Sequence, residues 1–248
     1  MFADMILVLS GFAAGALNAA AGGGTFIVFP ALVWAGVSAI PANATATFAS
    51  MPGYFAGAWG FRKDIHAEGS LRLWQLAVVT LLGGLTGALL LLVTPSDLFD
   101  GLVPWLLLLA TALFAFGPRI LAAQYRRGRS HAGPLAAALL FGLIGVYGGY
   151  FNGGLGILFL AGFGLIGFSD MNTMNGLKVL LSGLMAIFAT LAFAAAGLIA
   201  WREGLIMAVA TTAGGWLGAR FARRLPQVWL RGGVIVTGLV MTAIFLAR

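Results

Sequence analysis

Apolar residues run along this chain in long stretches, separated by short polar or charged loops and by two glycine-rich interruptions. In the first half the stretches cover Met5–Ala21, Thr25–Val37, Ala42–Phe61, Leu73–Val93 and Leu102–Phe116. In the second they cover Pro134–Phe151, Leu155–Phe168, Thr173–Ala200, Gly204–Phe221 and Trp229–Ala247. They are too long and unbroken for the period-two strands of a β-barrel, so helices are predicted throughout. The expected fold is an all-α integral membrane bundle of about eight to ten hydrophobic helices. Residues 1–118 and 134–248 form two transmembrane repeats, joined by a basic linker over 119–133.

The two interruptions are the informative part of the pattern. One reads AGGGTFIVFP from Ala21 to Pro30, the other NGGLGILF from Asn152 to Phe159. A helix broken within lipid exposes N–H and C=O groups that hydrocarbon cannot satisfy, so such a break must be covered by protein or line a cavity. Matched breaks in two halves are the pattern of a transporter's substrate site. The stretches that follow them are short: about 13 residues at 1.5 Å rise span roughly 20 Å, against a hydrocarbon core of ~30 Å. Each is expected to turn back on the helix before it as a hairpin.

The halves match in order. Gly15 aligns with Gly145, Gly23-Gly24 with Gly153-Gly154, and Ile27-Val28-Phe29 with Ile157-Leu158-Phe159, all at an offset of 130. Gly36-Val37-Ser38 then matches Gly167-Phe168-Ser169, and Asn43-Ala44-Thr45 matches Asn175-Gly176-Leu177. An ordered series of this kind points to an internal duplication.

Composition agrees: 61% of the 248 residues are hydrophobic and 8% charged, where a soluble domain carries about a quarter. The net charge of +7 does not indicate nucleic-acid binding, because the arginines sit in short loops, as the positive-inside rule describes. The basic loop 62–72 and the linker are therefore placed in the cytoplasm, and the acidic loop 94–101 outside. The same alternation makes the repeats inverted and puts both termini on the outer side of the membrane. Met1-Phe2-Ala3-Asp4 lacks a basic region, so the first stretch is expected to be a structural helix and not a cleaved signal. With no cysteine, thiolate metal sites and thiol catalysis are excluded.

Polar residues within the apolar stretches form two clusters. The first holds Asn18, Gly22, Gly23, Gly24 and Thr25, with Asn43, Thr45 and Thr47 on the following helix. The second holds Asn152, Gly153, Gly154 and Gly156, with Asn172, Thr173, Asn175 and Lys178. Helix N-termini that start straight after glycines direct free N–H groups and a positive dipole end at the break, which suits a small anion. Close helix packing is the alternative use of glycine, and is expected for Gly83-Gly84, Gly87, Gly214-Gly215 and Gly218. Lys178 lies within an apolar stretch, where it either meets the anion or snorkels to the nearby surface. All seven acids lie in loops or at segment ends, which argues against a cation carrier built on buried carboxylates. No HExxH, GxSxG or Walker A pattern is present, so neither an enzyme nor a bound cofactor is expected.

At these residues the chain resembles the TauE/SafE sulfite exporter family, also called the 4-toluenesulfonate uptake permease (TSUP) family. The stretches that carry the likeness are GALNAAAGGGT from Gly15 to Thr25, Pro30–Leu32, Ala42–Thr45, Asn152–Gly156 and Asn175–Lys178. The resemblance implies transport of sulfite, organosulfonates or related sulfur anions across a bacterial inner membrane. The expected substrate site is Gly22, Gly23, Gly24, Thr25, Asn43, Thr45, Asn152, Gly153, Gly154, Asn175 and Lys178. The expected partners are this anion and the lipid bilayer, and a homo-oligomer is compatible with the sequence. Asn152 stands where the first half has Gly22, and Leu160 where it has Pro30, so the half-sites are expected to be unequal. A non-transporting membrane scaffold is the alternative reading.

Overall fold

Ten α-helices appear in a computed structural model that describes residues 2–20, 22–66, 71–126, 133–221 and 227–246. They are α1 (Phe2–Ala20), α2 (Thr25–Trp34), α3 (Ala39–Gly60), α4 (Leu73–Val93), α5 (Ser96–Arg126), α6 (Pro134–Tyr150), α7 (Leu155–Leu165), α8 (Met171–Ala195), α9 (Trp201–Phe221) and α10 (Gln227–Leu246). Each predicted stretch is one helix, and no strand occurs among the described residues. Among the described residues, three helical stretches are long and apolar enough to cross a membrane: Leu73–Val93, Ser96–Gly117 and Met171–Ala195. The largest difference from expectation lies at the linker. Helix α5 continues to Arg126, past the boundary drawn at 118, while Arg127, Arg129 and His131 fall outside the described residues.

The helices after the breaks are shorter than their apolar stretches. α2 has 10 residues and α7 has 11, a rise of roughly 15–17 Å, about half the hydrocarbon core. Both stop the same way. Gly36 (φ +93°) and Gly167 (φ +97°) adopt the left-handed conformation. The next N–H in each case folds back five residues, Val37 to Leu32 and Phe168 to Phe163. This is the Schellman stop, and glycine takes it without a Cβ penalty.

Small residues set the helix pairing. A Cβ on Gly15 of α1 would meet the backbone of Thr211 and Gly215 in α9, and one on Gly218 would meet Ala16. The other half repeats this: a Cβ on Gly145 of α6 would meet Thr80, Gly83 and Gly84 in α4, and one on Gly87 would meet Val146 and Tyr150. Gly83-Gly84, Gly87, Gly214-Gly215 and Gly218 are thus packing glycines, as expected, because dispersion between close backbones holds helices together where lipid removes any hydrophobic drive. Helix α1 of the first half packs on α9 of the second, and α6 of the second packs on α4 of the first. The central helices α3 and α8 pack against each other, as do α5 and α10.

Side-chain contacts define the two faces of the bundle. On one, Arg202 at the start of α9 pairs with Asp4 of α1 at 2.7 Å, and Ala200 N–H donates to Thr45 near the start of α3. Ser38, Asp100 and Phe245 line a vestibule of about 580 Å³ on this face. On the other, His66 lies 3.5 Å from Thr173 Oγ1 at the start of α8, and the end of α3 at Gly60 abuts Ala219.

Candidate substrate site

The two glycine breaks meet. A Cβ on Gly22 would sit 2.7 Å from the Cα of Gly156, and one on Gly156 would sit 2.5 Å from the Cα of Gly22. Only two glycines allow this approach of backbone to backbone. Gly22 also needs its residue type for conformation, with φ +81°. At the second break the left-handed residue is Gly154 (φ +72°), the N-cap of α7, which presses on Ala110 of α5.

Lys178 of α8 lies at this junction, its Cδ 3.3 Å from the position a Gly22 Cβ would take. The side chain is 1% exposed, so it does not snorkel. Its Nζ donates to Asn175 Oδ1 at 2.7 Å, and no carboxylate pairs with it among the described residues. Two of the three donors of a lysine ammonium are therefore uncommitted inside the bundle. Ala46 holds the corresponding place in the first half, 132 residues earlier, so the cationic side chain belongs to one half only.

The remaining predicted residues divide between the junction and the support around it. Asn152, 4% exposed, accepts from the Tyr54 hydroxyl at 3.3 Å, with Thr25 and Ser50 beside the same hydroxyl. Gly153 presents its carbonyl to the Tyr147 hydroxyl at 2.7 Å, and the Gly23 carbonyl accepts from Phe26 N–H. Gly24 N–H, just before the helix start whose donors are expected to be free, goes to Asn18 Oδ1 at 2.6 Å, because a buried amide with no water must find a partner. Asn43 Nδ2 donates to the carbonyl of Tyr150, the last residue of α6, and satisfies a group that the break orphans. Thr45 lies apart from the junction, holding the start of α9.

Tyr54 and Ser182 join the site without having been singled out from the sequence. The signal was present: Asn43, Thr47, Ser50 and Tyr54 recur at i, i+4, i+7 and i+11 and share one face of α3. Asn175, Lys178 and Ser182 make a similar stripe on α8. Ser182 lines two narrow clefts. One, with Asn18, Gly22, Tyr54, Gly156 and Lys178, is too tight for a water. The other, with Thr47, Asn152, Leu155 and Met185, holds about 10 Å³, close to the least a water needs. The centre is therefore occluded. Towards the vestibule it is closed by Phe245, Phe29 and Phe151, with successive ring centroids 5.9 Å apart. Phe159, the counterpart of Phe29, packs with Phe141 and Phe163.

Residues 7–245 match the family model described as Sulfite exporter TauE/SafE. The chain belongs to the TauE/SafE sulfite exporter family. Among its relatives is a probable membrane transporter protein of Haemophilus influenzae, 29% identical over 96% of this chain and 92% of that protein. The probable membrane transporter protein YfcA of Escherichia coli K12 is 28% identical over 96% of this chain and 87% of its own length. The probable membrane transporter protein ORF9 of a Sinorhizobium species is 28% identical over 87% of this chain and 82% of its own. No solved structure matches. The family and the apolar helices make this a multi-pass membrane transporter.

Proposed function

We propose that the protein is a secondary transporter of a small sulfur-containing anion, sulfite or an organosulfonate, and not an enzyme. The observation that carries this reading is Lys178, buried where the two glycine breaks touch and paired with no carboxylate among the described residues. A charge inside the bilayer is costly, and an unpaired one is retained where a ligand completes it. An incoming oxyanion would take the uncommitted Nζ donors, with Asn175, Asn152, Tyr54 and Ser182 within the same junction. The Asn152 and Tyr54 side chains would exchange their mutual bond for bonds to the anion.

Alternating access around this point is supported by the way the halves exchange partners, α1 on α9 and α6 on α4. Inverted repeats would let one half rock against the other about a fixed centre, opening each face in turn. The face carrying Asp4 and the vestibule is assigned to the outside, from the acidic loop at 94–101 against the basic loop at 62–72. The family's name, sulfite exporter, favours sulfur anions over other oxyanions.

The test is sulfite flux in proteoliposomes. Lys178→Met is expected to reduce uptake at least a hundredfold, and Lys178→Arg to retain part of it with an altered half-saturation concentration. Undiminished flux in Lys178→Met sinks the site assignment.

A further inference from the structure

A stack of rings separates the vestibule from the junction. Along one face of α2, Thr25, Phe29 and Val33 follow at i, i+4 and i+8. Thr25 is beside the Tyr54 hydroxyl and Val33 lines the vestibule, so Phe29 lies between the two, with about 6 Å of helix on either side. Its ring is fully buried. It meets Phe151 edge-on and stacks on Phe245, each at 5.9 Å between centroids. Phe151 precedes Asn152 of the junction, and Phe245 lines the vestibule. Both partners belong to the second half and Phe29 to the first, so relative motion of the halves acts on this contact. The next residue is Pro30, which has no N–H to give the carbonyl of Phe26 and interrupts the helical ladder of α2 beside the ring. The second half carries Phe159 and Leu160 at these positions.

We infer, resting on the junction as the substrate site, that Phe29 is the gate between it and the vestibule and that Pro30 is the hinge on which this gate swings. Closed rings offer an anion no donor, and a passing oxyanion would shed its water against them with nothing in exchange. The rings therefore separate before an anion crosses. In an unbroken helix every backbone bond resists such a movement. In α2 one bond of the ladder is missing at the turn that carries Phe29, which is where a helix bends at least cost. The far end of α2 has room to follow, because the chain leaves it at Gly36, around whose Cβ position there is open space. The inequality of Pro30 and Leu160 then has a mechanical meaning: α2 can bend beside its ring, while α7 has an N–H at the same place.

The experiment is labelling of one cysteine placed at the junction of the full-length chain, which has none of its own. Ala186→Cys, on the wall of a narrow cleft, is exposed to an impermeant methanethiosulfonate added to right-side-out membrane vesicles. In this background Phe29→Ala should speed labelling about tenfold, as the open population grows. Phe245→Ala, at the vestibule end of the stack, should act in the same direction, and it decides the question if Phe29→Ala does not fold. Phe159→Ala removes an equally buried ring at the matching position and should leave the labelling rate unchanged. Pro30→Leu gives α2 the residue of the second half and restores the missing bond. It should raise the melting temperature and slow labelling about threefold. Labelling that neither Phe29→Ala nor Phe245→Ala speeds, or that Phe159→Ala speeds as much, overturns the gate. Labelling that Pro30→Leu does not slow overturns the hinge. Labelling needs no substrate, so each of these failures leaves the Lys178 reading to its own flux test.

Discussion

Single side chains in this protein mostly repair what the breaks leave open. Asn18 takes the Gly24 N–H and Asn43 the Tyr150 carbonyl, each replacing a helical bond that the chain gave up at a break. Replacing Asn43 by Ala leaves that carbonyl without its partner, at a cost of about 1–3 kcal/mol, which a thermal melt in detergent should detect. Asp170 does comparable work outside the helices. Its carboxylate caps α8, accepting both the N–H and the hydroxyl of Thr173 at 2.8 Å. These bonds hold its pKa below the usual 3.8, the backbone bond contributing most and His66 adding a smaller attraction. A lowered folded-state pKa stabilises where the carboxyl is ionised, so the cap acts fully above about pH 4 and fades as pH falls through the folded value. Asp170→Ala should therefore lose about 1 kcal/mol near neutrality. Melts of the two proteins should converge below pH 3.8.

At the level of elements, glycine has three separate duties, and substitution should distinguish them. At Gly36 a Cβ meets nothing within 4 Å, but φ is +93°. Gly36→Ala should cost about 1 kcal/mol in stability and leave flux unchanged. At Gly156 the backbone is helical and the obstacle is Gly22 itself, whose Cα an added Cβ would meet at 2.5 Å. Gly156→Ala must push the two breaks apart. It should abolish transport, measured in proteoliposomes, even where the purified protein still melts cooperatively. Packing glycines such as Gly215 carry neither duty. The sequence distinguished the packing set from the break set by position alone, since Gly214-Gly215 lie inside an unbroken apolar run. It did not disclose that Gly22 and Gly156 touch, because they lie in different halves and no local pattern links them.

Across the whole molecule, the bundle interlocks its halves. Each half's first helix packs on the other half's fourth, and Gly15 with Thr211 has its counterpart in Gly145 with Thr80. The faces that result can be tested directly, because the chain contains no native cysteine. Single cysteines at Ser38 or Glu203 should react with an impermeant maleimide in intact cells. A cysteine at Lys63 should react only after lysis, and the opposite outcome would reverse the assigned orientation.

The sequence by itself determined the helices, the membrane, the two breaks and the family. Each of these follows from local composition, or from an ordered series of residues that match between the two halves. It also marked Lys178, since a charge in an apolar stretch is conspicuous. Only the tertiary structure decided where that charge goes. A lysine two turns into a helix has a stem long enough for either the surface or the interior, and packing of α8 against α3 and both breaks took the second. The pair of narrow clefts at the junction was likewise invisible along the chain. Their walls come from α1, α3, α6, α7 and α8 together, and the space between them is a property of how those helices meet.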